Sequence, residues 1–399
     1  MLESIFEYHY RVIKNLPKYK RYLYSKINWK SKGICVTGAR GTGKTTLLLQ
    51  YMIEKYKSAE ECLYISADNI EIIDIGLLEL AKEYFKYGGK ALIIDEIHKY
   101  KNWQQEIKNI LDIYKDKQIL ISGSSSIKLQ KSKYDLSRRL TYYQLEGLSF
   151  REYLILENKL NLKPFKLEDI LKNHLQISQE ITQKITVLKE FKKYLKYGYY
   201  PFYLDNSQDY HLRLSNVIEK VLFEDVAFSY NIKISSVNYL KKILYLLATS
   251  NPFILNISKL SSDLGISKEY VYIFIEYLTL SKLINSISSD VKGYVLIRKP
   301  QKIYLDNTNI LYTIDSTSFN NNIGTIREIF FANQLLCNNK LNSSKSGDFI
   351  IDNKYTIEVG GQNKTFEQIK NIKNSYLAID NIETGIGTKI PLYLFGLLY

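Results

Sequence analysis

The stretch Gly33–Ile53 reads GICVTGARGTGKTTLLLQYMI, and its three parts decide the fold of the first third of the chain. GICVT is a short continuous apolar run of strand type, TLLLQYMI is an apolar run of helical type, and a glycine-rich turn joins them. The turn fits G-x-x-x-x-G-K-[ST] in full through Gly38, Gly43, Lys44 and Thr45, in the strand-then-helix context the pattern requires. Glycines let the backbone wrap until successive N–H groups point inward at a phosphate chain, and the following helix aims the positive end of its dipole at the same place. Gly38, Ala39, Arg40, Gly41, Thr42, Gly43, Lys44, Thr45 and Thr46 are therefore expected to cradle ATP. Lys44 would reach the β- and γ-oxygens, and the Thr45 hydroxyl would ligate Mg2+.

A second pattern supports the first. KALIIDEIHKY, residues 90–100, sets four apolar residues before Asp95 and Glu96, so both acids emerge at the C-terminal end of a buried strand. Open α/β sheets hold their ligands at that end. Asp95 is expected to bind Mg2+, directly or through water, and Glu96 to orient and deprotonate the attacking water. A third strand, QILISGSSS, ends in small hydroxyls, of which Ser124, or else Ser122, would sense the γ-phosphate. In SRRLTYYQLEG, Arg138 and Arg139 end a helix just before a β-run, and Arg139 is the candidate arginine finger acting on a neighbouring subunit. Basic residues also favour helix C-termini for electrostatic reasons alone. His98 reads as a structural histidine, or as a contact to the Mg2+ shell or to a neighbouring backbone carbonyl. Trp103 reads as packing the next helix onto the sheet.

Composition sets the outer limits. The chain has 399 residues, of which 45% are hydrophobic and 24% charged, which fits several globular domains. No apolar run approaches membrane-spanning length, and the charged start MLESIFEYHYRVIK lacks a signal-peptide core, so a cytoplasmic protein without a membrane partner is expected. Cys35, Cys62 and Cys337 are scattered and form no CxxC pair, which argues against disulfides and zinc. A net charge of +14 suits DNA or RNA, although a chain rich in Ile, Lys, Asn and Tyr acquires lysine from AT-rich codons as well.

From Gly33 to about Gly147 strand-type runs alternate with helical ones, predicting a parallel sheet with helices on both faces. Helical periodicity then dominates to about Asn285, and β-runs return after Gly293 in YVLIR, KIYLD, GDFIID, YTIEVGG, SYLAID and PLYLFG. This divides the chain into an N-terminal helix and linker (1–30), a P-loop domain (31–150), a helical domain (151–235), a winged-helix-like domain (236–305) and an α/β tail (306–399).

The chain resembles the bacterial and archaeal AAA-type ATPases that carry a C-terminal DUF4143 domain. The residues that bear the resemblance are GARGTGKTT, ALIIDEIHKYKNW, LISGSSSIKL, EGLSFREYL, YLKYGYYPFYL and the closing AIDNIETGIGTKIPLYLFGLLY. It implies an AAA+ fold for the first domain, with ATP binding and hydrolysis, and leaves the substrate blank. KYGYYPFYL, residues 196–204, is similar to the Gly-Tyr-Pro element of that family and predicts a rigid interdomain turn.

In the middle, residues 253–287 read as helix, glycine turn and second helix, with Leu260, Leu264 and Ile266 facing one way and Val271, Phe274 and Leu278 repeating at helical spacing. YVLIRKPQKIYLD would supply the wing of a winged helix. The second helix offers little for base readout beyond Lys268, which favours a protein contact over DNA. In the tail, GDFIIDNKYTIEVGG places Asp348 and Glu358 on two β-runs, with Glu328 on the helix before. That arrangement resembles the PD-(D/E)xK nuclease core and would make a second metal site. The lysine of that motif should stand two residues after Glu358, where this chain has Gly360, so a degenerate, restriction-endonuclease-like tail is expected; Gln362 or Lys364 is the alternative source of the lost group.

Three functions compete on this reading. One is an ATP-hydrolysing machine, oligomeric if an arginine acts in trans, that engages an unidentified protein or nucleic-acid partner. Another is a slow nucleotide-controlled signalling switch. The third is a DNA- or RNA-binding ATPase with a nuclease tail.

Overall fold

The computed structural model describes residues 2–124, 136–249, 253–254, 256–288, 300–315 and 322–399. The chain forms two compact units, one of Met1–Glu146 with Phe223–Ile232, the other of Gly147–Leu222 with Lys233–Tyr399. Residues 223–232, expected in the helical domain, thus belong to the first unit, and the expected helical, winged-helix and tail domains lie together in the second. Among the described residues no helix is long and apolar enough to cross a membrane.

In the first unit all five expected β-runs are strands: β1 (Gly33–Gly38), β2 (Cys62–Ser66), β3 (Ala91–Asp95), β4 (Gln118–Ser124) and β5 (Thr141–Leu145). They pair in parallel in the order β2-β3-β4-β1-β5. Successive strand residues point to opposite faces, so each strand feeds two cores. Cys35, Leu63, Ile65, Leu92, Ile94, Ile119 and Ile121 pack with the helices Ile70–Ile75, Leu77–Lys86 and Trp103–Ile113 on one face. Ile34, Val36, Tyr64, Ile93 and Leu120 pack with the helix Lys44–Lys55 on the other. Trp103 is buried in the first of these cores, as expected. This arrangement explains the near-continuous apolar runs, because a strand covered on both faces has no polar side.

The second unit begins with the helices Phe150–Leu156, Leu167–Thr182, Val187–Tyr197 and Tyr210–Lys220. Ser149 and Glu152 form a capping box at the first of them, which satisfies helix N–H groups that have no partner within the helix. KYGYYPFYL lies within this unit, and Tyr194 and Tyr153 pack so closely on Gly198 that a β-carbon there would stand 2.4 Å from Tyr194. A small antiparallel sheet of β6 (Phe253–Ile254), β7 (Ile284–Ser288) and β8 (Pro300–Leu305), in the order β6-β8-β7, has the helix Ile257–Leu264, a left-handed Gly265 and the helix Lys268–Leu280 inserted between β6 and β7. The expected wing run YVLIR lies outside the described residues.

A five-stranded sheet closes the unit: β9 (Leu341–Ser343), β10 (Phe349–Ile351), β11 (Tyr355–Gly360), β12 (Ser375–Ile379) and β13 (Lys389–Pro391), in the order β13-β12-β11-β10-β9. β9, β10 and β11 are antiparallel neighbours, while β11, β12 and β13 run parallel. PLYLFG departs from expectation: its strand stops at Pro391, and Leu392–Leu397 forms a 3-10 helix. A short apolar run buried on every side has no periodicity that separates strand from helix.

Candidate nucleotide-binding site

β1 delivers the chain to the C-terminal edge of the sheet, where the glycine turn begins. Gly38 is required by crowding: a β-carbon there would lie 2.4 Å from the Leu145 carbonyl of neighbouring β5. Gly43 is required by conformation, since it sits at φ 93 and caps the helix Lys44–Lys55. The turn is braced from outside its own sequence. The buried Arg21 guanidinium donates to the Thr42 carbonyl at 2.5 Å and to the Glu146 carbonyl at 2.8 Å. Arg40 donates to Asp225 at 3.2 Å.

Lys44 is 6% exposed, and its ammonium donates to the carbonyls of Gly38 at 3.2 Å and Ala39 at 3.0 Å. No carboxylate among the described residues lies within ion-pair distance of it. A buried cation held only by dipoles leaves a deficit that an anion would fill.

Asp95, at the end of β3, is buried and saturated. Its Oδ2 accepts from the Thr45 hydroxyl at 2.6 Å and the Tyr64 hydroxyl at 3.0 Å, while Oδ1 accepts from the Ser122 hydroxyl and from the Glu96 N–H at 3.0 Å. Burial, then the charge of Asp95, pushes the Tyr64 hydroxyl far above its ordinary range, so Tyr64 stays a donor. The Thr45 hydroxyl and the Asp95 carboxylate are hard oxygen donors in mutual contact, a set that fits Mg2+.

Glu96 occupies a left-handed backbone conformation, φ 49, a strained state for a residue with a side chain. Its carboxylate lies 3.4 Å from Nδ1 of the buried His98, whose Nε2 lies 3.3 Å from Asp225. His98 therefore has more than a packing role, and it touches neither Thr45 nor Asp95 in the described contacts. Ser124 bears on the site through its N–H, which donates to His98 Nδ1 at 3.3 Å, whereas Ser122 is the hydroxyl that touches Asp95.

Comparison with known proteins accords with this geometry. Residues 30–154 match an AAA domain. This supports an AAA-type P-loop ATPase reading for the first unit. Residues 188–320 match a domain of unknown function, DUF8612, where the sequence resemblance had named DUF4143. The uncharacterized protein MJ1637 of Methanocaldococcus jannaschii is 31% identical over 296 residues, which are 69% of this chain and 61% of that protein. The match thus spans less than two thirds of the relative's length. Among solved structures, AMPPCP-bound DnaA from Aquifex aeolicus aligns over 70% of this chain and 89% of its own at 18% identity and a TM-score of 0.27. A DNA replication initiation factor aligns over 84% and 95% at 15% identity and a TM-score of 0.27.

Arg139 lies at the far end of the AAA-domain sheet. Its carbonyl would stand 2.2 Å from a β-carbon at Gly33, the first residue of β1, whereas the phosphate loop follows the last, so about 16 Å of strand separates them. Its guanidinium grips Asp112 with two bonds, at 2.6 and 3.0 Å. Arg139 does not serve the site of its own chain.

In the second unit Glu328 and Asp348 are brought together, but around an ammonium. Lys302 Nζ lies 2.9 Å from Asp348 Oδ1 and 3.4 Å from Glu328 Oε2, and the Tyr304 hydroxyl also donates to Glu328. Asp348 Oδ2 accepts from the Val359 N–H at 3.0 Å. Glu358 instead pairs with Lys364. The methylenes of Lys364 cover Gly360, where a new β-carbon would meet them at 2.7 Å, so a lysine reaches the acid from four residues further along. Among the described residues no cluster of three His, Cys, Asp or Glu side chains is placed to hold a metal ion. The expected second metal site of Glu328, Asp348 and Glu358 is therefore not assembled, and Lys302, which no local pattern had flagged, supplies the physical reason.

Proposed function

We propose that the chain binds ATP with Mg2+ and hydrolyses it, and that nucleotide state governs its engagement of a partner through the second unit. The observation that carries this reading is Lys44, a buried cation whose described partners are two carbonyls of its own loop. A triphosphate would take those bonds over. The phosphate-loop N–H groups and Lys44 hold the chain of phosphates, Thr45 and Asp95 hold the metal, and Glu96 takes a proton from water. Bound Mg2+ supplies charge neutralisation at the phosphate oxygens. Lys44→Ala should abolish ATP binding in calorimetry, and Glu96→Gln should retain binding while multiple-turnover hydrolysis falls by about 100-fold, the scale of general-base contributions. A folded Glu96→Gln protein that turns over at the wild-type rate would refute the assigned base.

A slow switch is the second reading, favoured by a phosphate loop whose lysine is bound to the loop itself and whose Arg40 is held by Asp225. Turnover well below one per minute, with a nucleotide-dependent change in hydrodynamic size, would select it. Assembly with Arg139 acting in trans belongs to the first reading. For the second unit we propose a winged-helix-like element and a nuclease-shaped tail that bind rather than cut. The exposed residues of the helix Lys268–Leu280 include Glu269, Tyr270, Ile273 and Glu276 beside Lys268, a surface suited to a protein more than to base edges.

A further inference from the structure

His98 stands between the proposed base and a carboxylate far away in sequence. Its Nδ1 is 3.3 Å from the Ser124 main-chain nitrogen and 3.4 Å from Glu96 Oε2, and its Nε2 is 3.3 Å from Asp225 Oδ1. A main-chain N–H can only donate, so Nδ1 accepts, and the neutral ring then carries its proton on Nε2, aimed at Asp225. In that tautomer Nδ1 presents a lone pair to Glu96 and cannot bind it. With the proton on Nδ1, the ring would donate to Glu96 and tie up the carboxylate needed for water.

Asp225 is built to hold the first arrangement. It arrives on residues 223–232, whose flanks on both sides belong to the second unit, and its side chain is 3% exposed. Its Oδ1 also receives Arg40 at 3.2 Å and Lys99 at 3.4 Å. Burial opposes its charge, but the hydrogen bond from His98 and the charges of Arg40 and Lys99 outweigh burial and keep the carboxyl below its ordinary value. The acceptor that Nε2–H needs is thus kept ionised.

We propose that Asp225 is a positioning residue for ATP hydrolysis: it fixes His98 as the Nε2–H tautomer, which leaves Glu96 free to act on water, and it anchors the phosphate loop through Arg40. The proposal rests on the ATPase reading above and adds to it a residue outside the P-loop domain's contiguous sequence.

The chain has four histidines, so long-range proton–nitrogen NMR of imidazole-labelled protein gives a tractable spectrum, with His98 assigned by its loss in His98→Gln. The wild type should show His98 protonated on Nε2, and Asp225→Ala should raise the fraction protonated on Nδ1, the Ser124 N–H losing its acceptor in that fraction. Asp225→Asn should retain Nε2–H, because an amide oxygen in place of Oδ1 still accepts from His98, Arg40 and Lys99. In steady-state assays Asp225→Ala should lower kcat by about 10-fold or more with a smaller change in KM, and Asp225→Asn should recover most of that loss. In a His98→Ala background, Asp225→Ala should lower kcat much less, since no ring remains to sequester Glu96 and only the Arg40 anchor is lost. Circular dichroism on each variant checks folding. A wild-type His98 protonated on Nδ1, or an equal loss of kcat from Asp225→Ala in both backgrounds, would overturn the proposal. If the wild type hydrolyses no more ATP than Lys44→Ala, the ATPase reading fails, and the tautomer alone then decides whether Asp225 sets the ring.

Discussion

Asp95 offers the sharpest separation of structural from chemical roles, because two substitutions there should diverge. The carboxylate accepts from four donors in a buried setting: Thr45, Tyr64, Ser122 and the Glu96 N–H. Three are hydroxyls that can rotate, while the Glu96 N–H is fixed by the backbone. Asp95→Asn keeps an oxygen on the Glu96 side and turns its NH2 toward Thr45 and Tyr64, whose hydroxyl oxygens can accept. Asp95→Ala removes every acceptor. A buried donor left unsatisfied costs about 1–3 kcal/mol, and the fixed N–H together with at least one hydroxyl suffers that loss. Relief from no longer burying a charge offsets part of it, so about 3 kcal/mol of destabilisation is expected for Asp95→Ala. For a domain of this size that is about 6–12 °C in Tm. Asp95→Asn should fall within about 1 kcal/mol of wild type, on either side. Calorimetric melts of all three proteins without nucleotide supply the measurement. Titration with ATP, with and without Mg2+, then isolates the chemistry: Asp95→Asn should lose the gain in affinity that Mg2+ brings and keep the Mg2+-free affinity. An Asp95→Ala melt within 1 kcal/mol of wild type would refute the four-donor account, and an undiminished Mg2+ effect in Asp95→Asn would refute the metal assignment.

Arg139→Ala removes an ion pair with Asp112 that is largely open to water, so stability should change by less than about 1 kcal/mol; if the arginine acts in trans, wild-type turnover per subunit should climb with protein concentration and the variant's should not. In the second unit burial, with the nearby charge of Asp348, raises Glu328 above its ordinary value of 4.5, and burial raises Glu358 likewise against the pull of Lys364. Groups raised on folding stabilise below their unfolded pKa and lose that contribution as pH rises through the folded value, so the melt of this unit should fall from about pH 4.5 upward, and Glu328→Gln should flatten the slope. Plasmid or RNA incubated with Mg2+ or Mn2+ should show no cleavage that Glu358→Ala removes, because Lys302 and Lys364 already neutralise the acids; gel analysis that found such cleavage would restore a working nuclease.

Much of the first unit could be read locally. All five strands, the crowded Gly38 and the placement of Asp95 and Glu96 at a strand end followed from runs of a few residues. The misread PLYLFG shows the limit of this reading, since an apolar run buried on all sides looks alike as strand or helix. Tyr64 also escaped notice, although its position at alternating spacing in β2 put it on the same face as the helix Lys44–Lys55. Arg21 carried no signal in the chain, because its partners are main-chain carbonyls, which every residue possesses.

By itself the sequence determined the phosphate loop, the acidic pair, the parallel sheet and the identities of the three tail acids, for each of these is written in spacings shorter than one strand–helix unit. Only the tertiary structure decided that Asp225 returns to His98 and Arg40, that Lys302 lies between Glu328 and Asp348, that Lys364 covers Gly360, and that Arg139 faces away from its own phosphate loop. Those pairings join residues whose separation along the chain carries no periodicity. The partners of the charged groups are chosen by where a charge finds its opposite, and that is settled when the chain folds.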